Sequence, residues 1–133
     1  MNNTTPDPYE RFYRDRFASK TTGIKIEQAD VDYARCSLEI NDGHLNVNDC
    51  VMGGAIFTLA DFAFGVAANF AGIKTVSLSS SINYLSPTVG PVLYAEVRCN
   101  KSGRSVAFYD IAVTDSTGKL VATVAATGFR MSK

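Results

Sequence analysis

The residues of this 133-residue chain best placed to do chemistry lie between His44 and Asp61, in the segment HLNVNDCVMGGAIFTLAD. A polar loop runs into the pair Gly53-Gly54 and then into a strongly apolar stretch carrying one acid, Asp61. A helix starting at Gly53 presents unpaired backbone N–H groups and a positive dipole end, which suit a carbonyl oxygen or an anion. A carboxylate in the middle of such a helix is costly to bury unless it has a partner or a task. Together these features point to carbonyl chemistry. The competing reading of Asp61 is an acid satisfied by neighbouring hydroxyls or backbone.

Several elements must position these groups. Asp7-Pro8-Tyr9-Glu10 reads as a capping box with proline at the first helical position, and Tyr9, Phe12, Tyr13 and Phe17 fall on one face, so a short amphipathic helix is expected to end near Gly23. Ile24 and Ile26 alternate with polar neighbours, and after a turn near Asp30 so do Ala34, Cys36, Leu38 and Ile40; two strands fit. Residues 41–49 are rich in turn formers. The stretch from Gly53 to about Ala71 is apolar on nearly all sides, as a helix covered by a sheet should be. From Lys74 to Met131 the period becomes two, broken at Pro87–Pro91, Lys101-Ser102-Gly103 and Asp115-Ser116-Thr117-Gly118. One long helix against five or six antiparallel strands is an α+β layer architecture, with residues 1–23 a helical extension and 24–133 the single domain proper.

Thirteen Lys and Arg balance thirteen Asp and Glu, so no overall field favours nucleic acid or an anionic membrane surface. Cys36, Cys50 and Cys99 are an odd, widely spaced set without CxxC. They indicate neither a disulfide framework nor a thiolate metal site, and they suit a reducing cytoplasm. The first seventeen residues contain no apolar core of a secretory signal. The apolar run from Cys50 to Ile73 is long enough to span a membrane, but a central Asp61 costs roughly 2.5–3.5 kcal/mol there, so a helix wrapped by strands is expected instead.

The same residues carry a family resemblance. The loop and helix resemble those of hotdog-fold acyl-CoA thioesterases of the phenylacetate-degradation (PaaI) type, whose pattern is H-x-N-x-x-G-x-x-H-G-G followed by an apolar helix with an acid eight residues after the first glycine of the pair. His44, Asn46, Gly53, Gly54 and Asp61 fit in register. TVSLSSSINYLSP is similar to the strand after the helix, and KSGRSVAF to the hairpin near the CoA phosphates, so the resemblance covers about residues 24–131. It implies a hotdog fold: a long central helix wrapped by a five- to six-stranded antiparallel sheet. It also implies an acyl-CoA substrate of small or aromatic acyl type, and no cofactor beyond the CoA carried by that substrate. In catalysis the Gly53 N–H would polarise the thioester carbonyl, Asn46 would orient it or the loop, Asp61 would act as nucleophile or general base, and Ser77 would hold the attacking water.

Two positions depart from the pattern. Asp49 stands where the family has glycine, and Asp tolerates a positive φ better than most residues. Met52 stands where the family has histidine, and a thioether cannot replace an imidazole donor, so activity reduced, or turned to another substrate class, is expected. Met52 and Gly54 are candidate substrate contacts at the helix start. Lys101 and Arg104, flanking Gly103, could meet CoA phosphates or be solvated turn charges. His44 is the only histidine, which leaves a His-based metal site or a Ser-His-Asp hydrolase unsupported and makes a loop-holding role the expectation. Asn46 could equally be a turn residue. Phe57, Phe62, Phe64 and Tyr84 could line a pocket but are adequately explained as core. Ser77, Ser79, Ser81 and Asn83 are expected on one strand face, with Val76, Leu78, Ile82 and Tyr84 on the other.

Gly53 and Asp61 are about 12 Å apart along a helix axis, too far to touch one carbonyl group. Two such helices packed antiparallel across a two-fold axis would bring Gly53 of one subunit towards Asp61 of the other. A homodimer, or a homotetramer built from it, is therefore expected. The competing function is a non-catalytic acyl-CoA or acyl-lipid binding protein that lost turnover with the loop histidine.

Overall fold

The computed structural model describes residues 7–131; the first six residues of the expected N-terminal extension and the last two of the chain lie outside the described residues. Asp7 Oδ1 accepts the Tyr9 N–H at 2.8 Å, as a capping residue should. Two short turns follow, a 3-10 turn at Phe12–Arg14 and a π turn at Phe17–Thr22, the second closed by Gly23 at φ 94°. The break comes at Asp15, which is extended (ψ 90°). It rotates the register, so that Tyr9, Phe12 and Tyr13 pack on the core while Phe17 is exposed instead of sharing their face. Tyr13 anchors this segment, stacking on Phe62 and accepting the Ile26 N–H at 2.8 Å.

The remaining elements are β1 (Lys25–Asp30), β2 (Tyr33–Glu39), a 3-10 turn at Asp42–His44, α1 (Gly53–Asn69), β3 (Thr75–Tyr84), β4 (Val92–Ser102), β5 (Val106–Asp115) and β6 (Leu120–Arg130). The strands form one antiparallel sheet in the order β1-β2-β4-β5-β6-β3, with α1 lying across one face. Period-two burial is clear in β5, where Ala107, Tyr109, Ile111 and Val113 face the helix and Phe108, Asp110 and Ala112 face away. Ala34, Cys36 and Leu38 of β2, Leu93, Ala95 and Val97 of β4, and Ala122, Val124 and Ala126 of β6 complete the layer. Leu59, Ala60, Ala63, Val66 and Ala67 of α1 pack onto it. Each buried Leu, Ile or Val side chain contributes about 1.5–3 kcal/mol, and the facing alanines let helix and sheet approach closely.

The helix is not covered all round. Gly54 and Asp61 are exposed and Thr58 and Gly65 half-buried, a stripe along one side of α1 that sheet and N-terminal turns leave open. The strand that would flank this stripe is β3, which is added to the sheet after β6 and is therefore an edge. Val76, Leu78 and Tyr84 of β3 are exposed apolar or aromatic side chains on that edge strand. None of the helices among the described residues is long and apolar enough to cross a membrane.

Candidate active site

The loop before α1 is built by local hydrogen bonds that its sequence makes available. Asn41 Oδ1 accepts the Gly43 N–H at 2.8 Å, and His44 Nδ1 accepts the Asn41 N–H at 3.0 Å. With Nδ1 an acceptor, His44 Nε2 donates to the Thr22 carbonyl at 2.7 Å. The histidine is buried with both ring nitrogens occupied, so it pins the loop to the N-terminal turns and takes no further partner. Asn46 Oδ1 accepts the N–H groups of Asn48 and Cys50, at 2.9 and 3.1 Å, and so shapes the turn that follows. Asp49 takes φ 59°, the left-handed conformation that the expected glycine replacement requires. The Met52 N–H donates to the His44 carbonyl at 2.9 Å, closing the loop onto the start of α1.

At that start Met52 is the N-cap but offers no side-chain acceptor, and its side chain is exposed. No acceptor among the described residues takes the N–H of Gly53 or Gly54. These are the amide donors expected at a bare helix N-terminus. Tyr84 closes over them from β3, its hydroxyl donating to the Gly53 carbonyl at 2.9 Å. A Cβ at position 53 would stand 2.9–3.2 Å from the Tyr84 ring and hydroxyl, which is why glycine is needed there.

Asp61 is exposed in the single chain, contrary to the expected burial, because it points along the open stripe of α1. The protein crowded around it still pushes its carboxyl above the usual range, by desolvation first and by the charge of Asp15 second. It lines a cavity of about 520 Å³ between the N-terminal turns and β3, together with Phe12, Asp15, Phe62, Phe64 and Ser77. Phe62 and Phe64 are thus both core and cavity wall. Arg11, at the rim of the same cavity, is occupied in donating to the carbonyls of Asn69 and Phe70 at the C-terminal end of α1.

Ser77 reaches this cavity through an irregularity that alternation conceals. Ser77 pairs with Gly128 and Ser79 with Thr127, so Leu78 has no partner and forms a β-bulge. Ser77 therefore shares the helix-facing side with Ser80, Ile82 and Tyr84, opposite Gly128, Ala126, Val124 and Ala122 of β6, while Ser79, Ser81 and Asn83 face the other way. This corrects the single row of polar side chains expected from strict alternation. The Ser77 and Ser80 hydroxyls lie 3.4 Å apart. The start of the strand is fixed by Asn69, which accepts the Thr75 N–H at 2.7 Å and donates to the Thr75 carbonyl at 3.1 Å.

The structure thus brings Asp61 and Ser77 to one cavity and places Gly53 in another, of about 500 Å³, with Cys50, Val51, Tyr84, Leu85 and Pro87. Met52 and Gly54 line a third, of about 330 Å³, with Phe17, His44 and Thr58. Lys101 and Arg104 are exposed at the β4–β5 hairpin and form no side-chain hydrogen bond or ion pair among the described residues. Composition and spacing do not single out Asn69, and Tyr84, expected as pocket wall or core, is instead an exposed side chain bonded to the Gly53 carbonyl.

Residues 48–122, more than half the chain, match the model of the thioesterase superfamily. The chain is 31% identical to the acyl-coenzyme A thioesterase PaaI of Escherichia coli, over 83% of this chain and 79% of that one. It belongs to the thioesterase superfamily. Its fold is the hotdog fold of the PaaI type: the structure of the E. coli PaaI protein from the phenylacetic acid degradation operon superimposes with a TM-score of 0.88 at 27% identity, over 94% of this chain and 91% of that one. A relative from Archaeoglobus fulgidus is 33% identical over 76% of this chain, which spans 66% of that protein. A Streptococcus mutans protein solved bound to acetyl CoA is 32% identical with a TM-score of 0.78, over 83% of this chain and 90% of that one. As a thioesterase-superfamily member the chain is a thioester hydrolase, and the superfamily match begins at Asn48, beyond the loop residues His44 and Asn46.

Proposed function

We propose that this thioesterase hydrolyses the thioester of small or aromatic acyl-CoAs at a site shared between two subunits. The observation that carries the proposal is the separation of its parts: Asp61 and Ser77 line one cavity, and the free N–H of Gly53 lines another about 12 Å away along α1. The open stripe of Gly54, Thr58, Asp61 and Gly65, flanked by the unpaired edge of β3, is the surface on which a second α1 would lie antiparallel. That arrangement makes a homodimer with two equivalent sites, from which a homotetramer can be built. The relatives named for acyl-CoA hydrolysis or solved with acetyl CoA support the substrate class.

The carbonyl oxygen sits at the Gly53 N–H, where the helix dipole stabilises the oxyanion as it forms. Ser77 of the other subunit holds a water against the carbonyl carbon, Asp61 in the same cavity as that serine accepts its proton, and the oxygen adds to the carbon. Collapse of the intermediate breaks the carbon–sulfur bond and releases the carboxylic acid and the CoA thiol, protonated from Asp61. In the covalent variant the Asp61 carboxylate itself attacks, the carbon–sulfur bond breaks and CoA leaves as thiolate, and water then cleaves the mixed anhydride to the carboxylic acid and free Asp61, the proton released going to the thiolate. Asn46 serves by shaping the loop; Met52 and Gly54 contact the acyl portion, and Lys101 and Arg104 the CoA phosphates. No resident cofactor or metal is required, and neither nucleic acid nor membrane is a partner. The three unpaired cysteines fit a cytoplasmic location.

Free-thiol release from phenylacetyl-, hydroxyphenylacetyl-, benzoyl- and straight-chain acyl-CoAs, with wild type and Asp61→Asn compared at equal oligomeric state, tests the proposal. Turnover abolished by the substitution supports it; a wild type inactive on every substrate overturns it. The second reading, a non-catalytic acyl-CoA or acyl-lipid binder, rests on Met52, which leaves the N-cap without a polar side chain. Met52→His separates the two: an impaired catalyst gains turnover, whereas a binder stays inactive.

A further inference from the structure

Tyr84 is an exposed aromatic side chain on an edge strand, yet its hydroxyl is committed to a single bond, to the Gly53 carbonyl at 2.9 Å. The α1 ladder opens on the Met52 carbonyl, which accepts the N–H of Ala55 and Ile56, and the Gly53 carbonyl is the next acceptor along it, so the Tyr84 bond is not needed to satisfy that oxygen. The carbonyl of Gly53 and the N–H of Gly54 belong to one planar peptide unit, and that N–H has no acceptor among the described residues. A donor on the oxygen withdraws density from the unit and strengthens its N–H as a donor, by about 10–30% per bond in chains of hydrogen bonds. It also fixes the direction in which the N–H points. The ring can reach this position only because residue 53 has no Cβ.

We infer that the Tyr84 hydroxyl is a positioning group of the reaction: it orients and polarises the Gly53–Gly54 peptide, so that the Gly54 N–H joins the Gly53 N–H in holding the thioester oxyanion. The inference rests on the proposed binding of the carbonyl at this helix start. It enlarges the expected single amide donor to two, and it adds to the chemistry a side chain from β3. Since β3 also carries Ser77 on the same face, each copy of the strand braces the amide donors of one site and supplies the water-holding hydroxyl to the other.

Tyr84→Phe keeps the ring against Gly53 and removes only the hydroxyl. On whichever acyl-CoA the wild type hydrolyses, kcat is expected to fall about three- to tenfold with KM within twofold, since an indirect bond is weaker than a direct oxyanion donor. A spectroscopic readout accompanies it: the carbonyl stretch of a bound ketone analogue of acyl-CoA, with methylene in place of sulfur, moves to lower frequency in the wild type and recovers towards its solution value in the variant. An unchanged kcat or an unchanged stretch in an active, normally assembled Tyr84→Phe overturns the inference alone. A wild type without turnover on any acyl-CoA overturns the inference together with the function on which it rests.

Discussion

Ser77 and Tyr84 lie on the same face of β3 although seven positions separate them, because Leu78 between them bulges out of the ladder. Without the bulge one of the two would turn away from the helix, since an odd spacing reverses the face. Ser77 would then leave the cavity of Asp61, or Tyr84 the carbonyl of Gly53. The bulge is thus the feature that lets one strand serve both parts of the site.

The first test of this relationship is a pair of alanine substitutions. Ser77→Ala is expected to lower kcat/KM about tenfold through loss of the proposed water-holding hydroxyl, while Ser79→Ala, on the opposite face, stays within about twofold of wild type. Equal losses in both variants, measured by thiol release, would show that strict alternation describes the strand better than the bulge does.

Asp61→Asn removes the proposed base or nucleophile and should cost turnover at least about a hundredfold. The Asp61 pKa is raised by desolvation and by Asp15, so folding takes up a proton there. Its favourable contribution is fully present below the unfolded value of about 3.9 and is lost as pH rises through the higher folded value. The variant should accordingly be at least as heat-stable as wild type at neutral pH. In the wild type the acidic limb of the kcat/KM profile should fall above the ordinary aspartate range. A limb at or below the ordinary value would remove Asp61 from the role of base.

Sharing of the site between subunits can be read by complementation. Asp61→Asn loses one half-site and Gly53→Pro the other, since proline has no N–H; Tyr84→Ala in the same chain as Gly53→Pro removes the ring that its Cβ would meet. Random reassortment of two inactive homodimers gives half heterodimers, each with one intact site, hence about a quarter of wild-type activity. Recovery of none, with heterodimers confirmed by native mass spectrometry, would place Gly53 and Asp61 in separate functions.

Gly53→Ala tests the close approach of Tyr84. Helix propensity alone would favour alanine by about 1 kcal/mol, whereas overpacking against the ring costs about 1–3 kcal/mol. The variant should melt below wild type, and in a Tyr84→Ala background the same substitution should become stabilising. A cost unchanged by removal of the ring would locate the constraint elsewhere in the loop.

Asp115 offers a stability test away from the chemistry. Its carboxylate accepts the Thr117 hydroxyl and the N–H groups of Val89, Lys119 and Thr117, tying the 87–91 loop to the β5–β6 turn. The Thr117 hydroxyl is the main cause that lowers its pKa to about 2, against the opposing effect of desolvation. The stability it confers is present above the unfolded value of about 3.9 and is lost as pH falls towards about 2. Asp115→Asn should therefore lower the melting temperature at pH 7 and narrow its gap from wild type in that acid window. A gap independent of pH would mean that the charge of Asp115 is not what the loop depends on.

The sequence by itself determined the long helix, the strands and the candidates for the chemistry. Period-two alternation in β5, the apolar run of α1, and the turn formers before Gly53 are local properties of neighbouring residues, and each produced the element it signalled. The left-handed Asp49 and the loop-holding His44 were legible for the same reason. Tertiary structure decided what depends on distant partners. The turn at Asp15 turned Phe17 outward, the bulge at Leu78 changed the face of Ser77, and the incomplete cover of α1 left Asp61 exposed. The Tyr84 contact with Gly53 joins residues 31 positions apart. Periodicity assigns a residue to a face only while the ladder is regular, and it says nothing of which neighbour fills that face. Packing across the sheet settles both, because backbone and side-chain groups must all find partners within one close-packed interior.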